Sequence, residues 1–431
     1  MKNTFLKLFV SIFMVATTQI SFSQSNSIKS FTEGFEKKEG FLNYYWDDNK
    51  GKVYLEIKRL NQEMIYVNYL SAGVGSNDIG LDRGQIGGTR IIKFVKIGPK
   101  ILMVQPNYKY RAVSNNLEEI KSVEDAFAKS TLWGFEIILK DKSSYLIDVS
   151  EFLLRDSHKI SQRLAQRKQG SFKIDKKSSS FDNLKSKNFP LNSELEAYLT
   201  YRGNVTGGWL RSVSPDSESF SVRTRHSFVQ LPDDGYTPRK FDPRAGYGAL
   251  TFYDYASPIE EDLHVKYIRR HRLIKKDPTK KISEAVDPII YYLDRGVPEP
   301  VKSALLEGAS WWNEAFEAAG FKNAFQIKVL PEGADMLDVR YNVIQWVHRS
   351  TRGWSYGSSV VDPRTGEIIK GHVSLGSLRV RQDYLIAEGL LRPYSKNEES
   401  NLMEDMAIKR LRQLSAHEVG HTKGLSHNFI S

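Results

Sequence analysis

The sequence predicts an α+β fold in two parts: a β-rich antiparallel region, then a mixed α/β region whose sheet carries two long helices. Three observations predict it. From about residue 41 to 255, short runs of β-branched and aromatic residues alternate with turn signals. After about Val286 the pattern changes to strands interleaved with two stretches of helical periodicity. The 431 residues, 40% hydrophobic and 26% charged, suffice for two or three domains with separate cores, which excludes a single small module, wholesale disorder and a fibrous repeat.

Taken in order, residues 1–23 have the layout of an export signal. Lys2 and Lys7 make a positive start, an apolar run over 8–16 follows, and Ser21-Phe22-Ser23 supplies small residues before a cleavage expected ahead of Gln24. Thr17, Thr18 and Gln19 interrupt the run well short of the roughly 20 apolar residues a membrane helix needs. The mature chain is therefore expected to be exported, periplasmic or extracellular, with no integral membrane segment.

The β-rich region is read over 24–285. Its clearest strands are 53–57, 64–69, 90–95 and 135–139, separated by turns such as 47–51 and Gly87-Gly88; short connections make the sheet antiparallel. Phe152, Leu153, Ile160 and Leu164 are spaced for one face of a helical turn or two. Residues 168–189 are polar and read as a surface loop. The basic stretch around Arg269-Arg270-His271-Arg272, Lys275-Lys276 and Lys280-Lys281 reads as a solvated connector.

The second region is read over 286–431. A strand at 287–292 is followed by a long helix opened by Pro298-Glu299-Pro300, striped by Leu305, Ala309, Trp312 and Phe316 and stopped at Gly320. Strands at 325–330 and 338–347 lead to a hairpin, 358–361 with 367–375, turning through Asp362-Pro363-Arg364-Thr365-Gly366. The last helix runs from about 399 to 423, with Leu402, Met406, Leu411 and Leu414 inward.

Charge and cysteine usage narrow the chemistry. Sixty-two Lys and Arg against 51 Asp and Glu give +11, spread along the chain, which does not point to a nucleic-acid partner. With no cysteine, disulfides, Cys-ligated zinc and a thiol nucleophile are excluded, and any metal falls to His and carboxylates. Three of the nine His lie within eleven residues, in His417-Glu418-Val419-Gly420-His421-Thr422-Lys423-Gly424-Leu425-Ser426-His427.

Residues four apart on a helix share a face, so His417 and His421 can present two imidazoles to one ion. Gly424 allows the helix to end in a left-handed residue, returning His427 as a third ligand. Three neutral imidazoles and a water give tetrahedral Zn2+ with an open position. Such an ion lowers the pKa of its water, and Glu418 can take the proton as the water attacks a carbonyl. His226, His264, His271, His348 and His158 lack a ligand-spaced partner and read as structural or surface residues.

The full spacing resembles the metzincin clan of zinc metalloproteases. Asn428-Phe429, the segment Val361 to Ile368 and the upstream Phe241-Asp242-Pro243-Arg244-Ala245-Gly246-Tyr247 resemble a family of large exported bacterial zinc-dependent metalloproteases with an uncharacterised β-rich region before the protease domain. The resemblance implies zinc ligation by His417, His421 and His427, a general-base role for Glu418 and a protein or peptide substrate. It makes residues 286–431 the N-terminal half of a metzincin-like domain. The clan carries a further subdomain with a Met-turn after the third His, and the chain stops at Ser431, so the expectation is a fragment of a longer protein or a truncated, inactive chain. Lys423 stands where an apolar residue is more usual, which puts the packing behind the site in doubt without removing a ligand.

The metzincin comparison also implies an edge strand above the zinc that pairs with substrate. Residues 367–375 are the best candidate, an interior strand being the other reading. The β-rich region doubles as a candidate prodomain. Two functions stay open: a secreted zinc endopeptidase, or a non-catalytic exported binding or scaffold protein retaining a zinc-helix remnant. Oligomeric state is not readable from the sequence.

Overall fold

The computed structural model describes residues 27–142, 144–351, 353–390 and 401–427. The expected export signal and Asn428-Phe429 lie outside the described residues.

Alternation along the early strands builds the first core. In Lys52–Ile57, Val53, Leu55 and Ile57 point into a cluster with Tyr44, Trp46, Phe94 and Phe228, while Tyr54 faces the other side against Phe31 and Phe35. Such strands assemble into a 13-stranded antiparallel sheet whose path runs Glu36–Lys38, Tyr44–Asp47, Lys52–Ile57, Ser144–Asp148, Ser130–Asp141, Lys100–Gln105, Gln85–Ile97, Glu63–Ala72, Ser219–Gln230, Asn192–Val205 and Gly170–Ile174. The sheet curls until its ends meet: the Phe41 N–H donates to the Phe189 carbonyl at 2.8 Å, and Asn188 Nδ2 to the Lys38 and Leu42 carbonyls at 2.9 and 2.8 Å. A nearly closed barrel leaves little open edge.

A second, five-stranded sheet follows in the order Phe325–Val329, Ile289–Leu293, Asn342–Val347, Ile368–Gly376 and Tyr356–Val361. The first four are parallel and the last is antiparallel to its neighbour. On one face, Tyr291, Ile344, Val373 and Leu375 pack with Leu305, Leu411 and Val419 of the helices. On the other face, Val360 meets Ile65, Val67 and Val229 of the large sheet. The buried pair of Arg349 with Asp82 clasps the two halves.

These observations correct the expected architecture. Strand outweighs helix, 38% to 22%, so the chain is β-rich and not the α+β arrangement with a two-long-helix, metzincin-like half. Residues 298–320 form two short helices, Val301–Ser310 and Trp312–Ala318, that meet at Trp311, and the Trp312 indole N–H donates to the Ala416 carbonyl at 2.8 Å. Periodicity hid the break, since Leu305, Ala309, Trp312 and Phe316 keep one inward face across it. Among the described residues only Asn401–Thr422 is long, and Leu402 on it is exposed where it was expected inward. An unforeseen helix, Leu378–Leu390, anchors to it through the buried Asp383, which accepts from Arg379 and Arg410.

Other local expectations shift as well. Residues 168–189 hold short strands, Gly170–Ile174, Ser180–Phe181 and Lys187–Asn188, that pair with Asn192–Val205 and bury Phe172 and Phe181. Their polar composition masked those two inward side chains. The basic stretch is built in rather than merely solvated: His271 is 3.2 Å from the Tyr291 hydroxyl, and Arg272 pairs with Glu367 and Asp233. Ile368–Gly376 lies between two strands, so the edge of the second sheet is Tyr356–Val361 instead.

The buried polar groups generate two tests. Arg349→Met should lower unfolding free energy by about 3–5 kcal/mol, because Asp82 is left charged and unpaired in the interior. An unchanged denaturation midpoint would show that the clasp contributes nothing. His226 sits between the Tyr66 hydroxyl and the Leu153 carbonyl at 2.7 and 3.1 Å, and burial followed by the Arg155 charge pushes its pKa down to about 3. Burial, then Arg163, takes His158 down to about 4. Both stay neutral when folded, whereas the unfolded chain takes up those protons near pH ~6.5. Stability should therefore hold above that pH and fall below it, by up to about 1.4 kcal/mol per pH unit for each. Urea midpoints that stay flat from pH 7 to 5 would contradict this.

Candidate metal centre

The helix Asn401–Thr422 sets two imidazoles one turn apart, and the tight turn at its C-terminal end supplies the third. Lys423 N–H donates to the Gly420 carbonyl at 3.1 Å, Gly424 N–H to His421 at 3.0 Å and Leu425 N–H back to Gly420 at 3.3 Å. Gly424 takes φ +97°, a left-handed conformation, and a side chain there would strike the Arg269 carbonyl. The reversal brings His427 back to the helix. The Nε2 atoms of His417, His421 and His427 then lie 3.1 Å (417 to 421), 3.0 Å (421 to 427) and 3.3 Å (427 to 417) apart.

That donor set fits a metal. Neutral imidazoles at this spacing can share at most one ring proton per pair, while one cation at their centre satisfies all three. A tetrahedral zinc with bonds of ~2.0–2.1 Å would hold its nitrogens ~3.3–3.4 Å apart, close to what is seen. His421 Nδ1 is 2.9 Å from the Leu425 carbonyl; donation there fixes the tautomer and leaves the Nε2 lone pair facing the cluster. Burial, then the neighbouring His421 and His427, lower the pKa of His417, favouring the neutral ligand form.

Glu418 is not part of the imidazole cluster. Its side chain turns into the protein beside the edge strand Tyr356–Val361 and is 4% exposed, with Oε2 lacking a hydrogen-bond partner among the described residues. Burial raises its pKa to about 7, against the opposing His421 charge, the Gly357 N–H hydrogen bond and Arg379. The approach needs a glycine at 357, where a Cβ would lie 2.2 Å from the Glu418 carbonyl. Nearby, Ser359 Oγ donates to the Thr422 carbonyl at 2.8 Å, and Thr422 Oγ1 is 2.7 Å from the Tyr291 hydroxyl.

The β-rich region reaches into this centre. Ser426 N–H donates to the Gly246 carbonyl at 2.8 Å, Gly248 N–H to the Gly424 carbonyl at 2.7 Å, and Tyr247 bridges Leu425. The two Asp-Pro-Arg segments quoted from the sequence form the same turn. Asp242 accepts the Arg244 N–H at 2.9 Å and Asp362 the Arg364 N–H at 2.8 Å, each folded back on by its Arg guanidinium and closed by a left-handed Gly246 or Gly366. Between them Arg269 N–H donates to Gly248 and Arg270 N–H to Gly366, at 3.3 and 3.1 Å. Sequence reasoning picked out these segments, Tyr247 included, as a signature but gave them no role; it read Arg269 only as part of a solvated basic stretch and passed over Gly357. The paired Asp-Pro-Arg-x-Gly turns were the available signal. The region read as a candidate prodomain supplies backbone partners to the loop that carries His427.

The remaining histidines are satisfied elsewhere. His226 lies in the large sheet, His158 sits in a turn against it within 3.2 Å of Asn68 Nδ2 and Gln85 Oε1, His348 is 2.8 Å from Ser377 Oγ, His264 stacks on Tyr253, and His372 on the interior strand contacts Gln345. Among the described residues, no other group of three His, Asp or Glu side chains converges as a metal site would require.

Residues 399–431 match the Met-zincin family model. Residues 84–276 match a model described as a domain of unknown function (DUF5117), and 25–73 another, DUF5118. No curated protein and no solved structure matches the chain. The stretch containing the His triad is thus metzincin-like, and the three imidazoles suggest zinc binding. Among the described residues no helix is long and apolar enough to cross a membrane.

Gly424→Ala should weaken zinc binding by about tenfold or more with the fold retained, the size of loss seen when a ligand's supporting partners are disturbed. Chelator competition alongside circular dichroism measures both, and an unchanged affinity would show that the reversal tolerates a side chain.

Proposed function

We propose that this protein is an exported zinc-dependent metallo-endopeptidase, with His417, His421 and His427 as ligands and Glu418 as general base. The observation that carries the reading is one juxtaposition. Three imidazole nitrogens converge at an accessible surface, and the next residue along the helix is a buried carboxyl with one oxygen unpartnered. The Met-zincin match supports it, as does the signal-like start of the chain.

Bound zinc would supply Lewis-acid activation of water and of the scissile carbonyl. The protein's own groups do the rest. Glu418, with its pKa raised to about 7, can accept the proton of the attacking water near neutrality and return it to the leaving amine. The Leu425 carbonyl keeps His421 in the ligating tautomer. Tyr356–Val361 has no strand on its outer edge among the described residues, and its Ser358 and Ser359 border the same cleft as His421 and His427. An extended peptide added there would pass the candidate ligands, main-chain hydrogen bonds providing affinity whatever the side chains.

Zinc-loaded protein isolated from its source should cleave unfolded polypeptides. Glu418→Gln should cut the rate by about 10²–10⁴-fold while zinc content and fold stay unchanged. Full zinc occupancy with no cleavage by the wild type would favour the non-catalytic scaffold.

A further inference from the structure

The cleft beside the candidate ligands encloses about 620 Å³ and is walled by both halves of the chain: Gly248 and Arg269 from the β-rich region, Ser358 and Ser359 from the edge strand, His421 and His427 from the metal centre. Its lining is otherwise glycine, serine and aliphatic residues. Among the described residues Arg269 is the one Lys or Arg that lines it, and no carboxylate does. That imbalance is local. Three residues on, Arg272 is neutralised by Glu367 and Asp233, whereas the exposed Arg269 guanidinium contacts the Ala249 carbonyl at 3.1 Å and has no ion pair among the described residues.

The backbone of this residue is also held in place. Arg269 N–H donates to the Gly248 carbonyl at 3.3 Å, and its own carbonyl packs against Gly424, at the reversal that returns His427. Its backbone is therefore fixed relative to the third candidate ligand. Small walls at Gly248, Ser358 and Ser359 leave room for a side chain of a peptide lying along Tyr356–Val361.

We infer that Arg269 forms an acid-binding subsite beside the metal, selecting polypeptides with a carboxylate close to the scissile bond. A guanidinium matches a carboxylate in shape as well as charge, with two parallel N–H donors, and a Lys side chain in the same place would meet a like charge. The carboxylate comes from an Asp or Glu side chain or from a substrate C-terminus. The inference rests on the protease reading and narrows it from polypeptides in general to acidic ones.

Cleavage of a proteome-derived peptide library by the zinc-loaded protein, read by mass spectrometry, tests it. The expected result is enrichment of Asp or Glu at one fixed position beside the cut. On matched Glu and Gln peptides, kcat/KM should favour Glu by about tenfold, the scale of a single pocket contact. Arg269→Gln should abolish that preference, bringing the Glu-to-Gln ratio of kcat/KM to about one, with zinc content and fold unchanged. Arg269→Lys should keep part of the preference, and Arg269→Glu should turn it towards Lys and Arg. If the source is a substrate C-terminus, cuts will cluster near free C-termini and vanish on amidation. Cleavage without acidic preference, or a preference that survives Arg269→Gln, overturns the subsite and leaves the protease reading standing. Absence of cleavage of any peptide overturns both.

Discussion

The candidate centre depends on one backbone event, the reversal at Gly424. A helix alone offers two imidazoles on one face, and two do not make an open tetrahedral site. The third arrives because the chain takes a left-handed step at φ +97° and doubles back within three residues. That step is confined on two sides. The Gly420 and His421 carbonyls accept N–H groups from the turn, and the Arg269 carbonyl occupies the space a side chain at 424 would need. Relaxing either constraint would move His427 relative to a helix that is itself immobilised by packing.

Much of this was legible in the sequence, and the reason is locality. The i, i+4 pair, the glycine and the returning His sit within eleven residues, so helix geometry and turn chemistry suffice to bring the three side chains together. What the sequence did not disclose is everything that reaches the centre from far away. Gly246 to Gly248 lie about 180 residues upstream of the loop they hold, and no periodicity links the two. Gly357 likewise looks like any glycine in a strand until the Glu418 carbonyl is seen pressed against it.

The same division explains the fold. Strands with clear alternation, such as those around Val53, Ile65, Ile91 and Ile137, fall where their patterns place them. The errors come where one property masks another. A polar, Lys-rich stretch concealed the inward Phe172 and Phe181, and a continuous apolar stripe concealed the break at Trp311. The overestimate of helix arose from that stripe together with analogy to a metzincin half-domain. Neither gave due weight to how far the antiparallel sheet extends, with short strands reaching back to pair with Asn192–Val205.

Lys423 shows how the two halves divide the work of holding the centre. An ammonium behind a metal site is costly to bury unless something replaces water. Here Nζ lies 3.7 Å from the Trp312 ring centroid and 3.8 Å from that of Phe325, with no hydrogen-bond partner among the described residues, and burial holds its pKa well below the ordinary lysine range. Aromatic faces offset part of the cost when the group is charged, and the aliphatic stem packs as an apolar residue would. Trp312 also donates to the Ala416 carbonyl, one residue before His417, and Ser359 grips Thr422. The last turn of the helix, with His417 and His421, is therefore clamped by residues of the C-terminal half. The loop with His427 takes its backbone hydrogen bonds from Gly246 and Gly248 of the β-rich half. The two sets of partners come from segments far apart in sequence, so the distance between the second and third imidazoles depends on how those segments are held together. Gly246 and Gly248 are therefore structural partners of the loop that carries His427, contributed from the β-rich region.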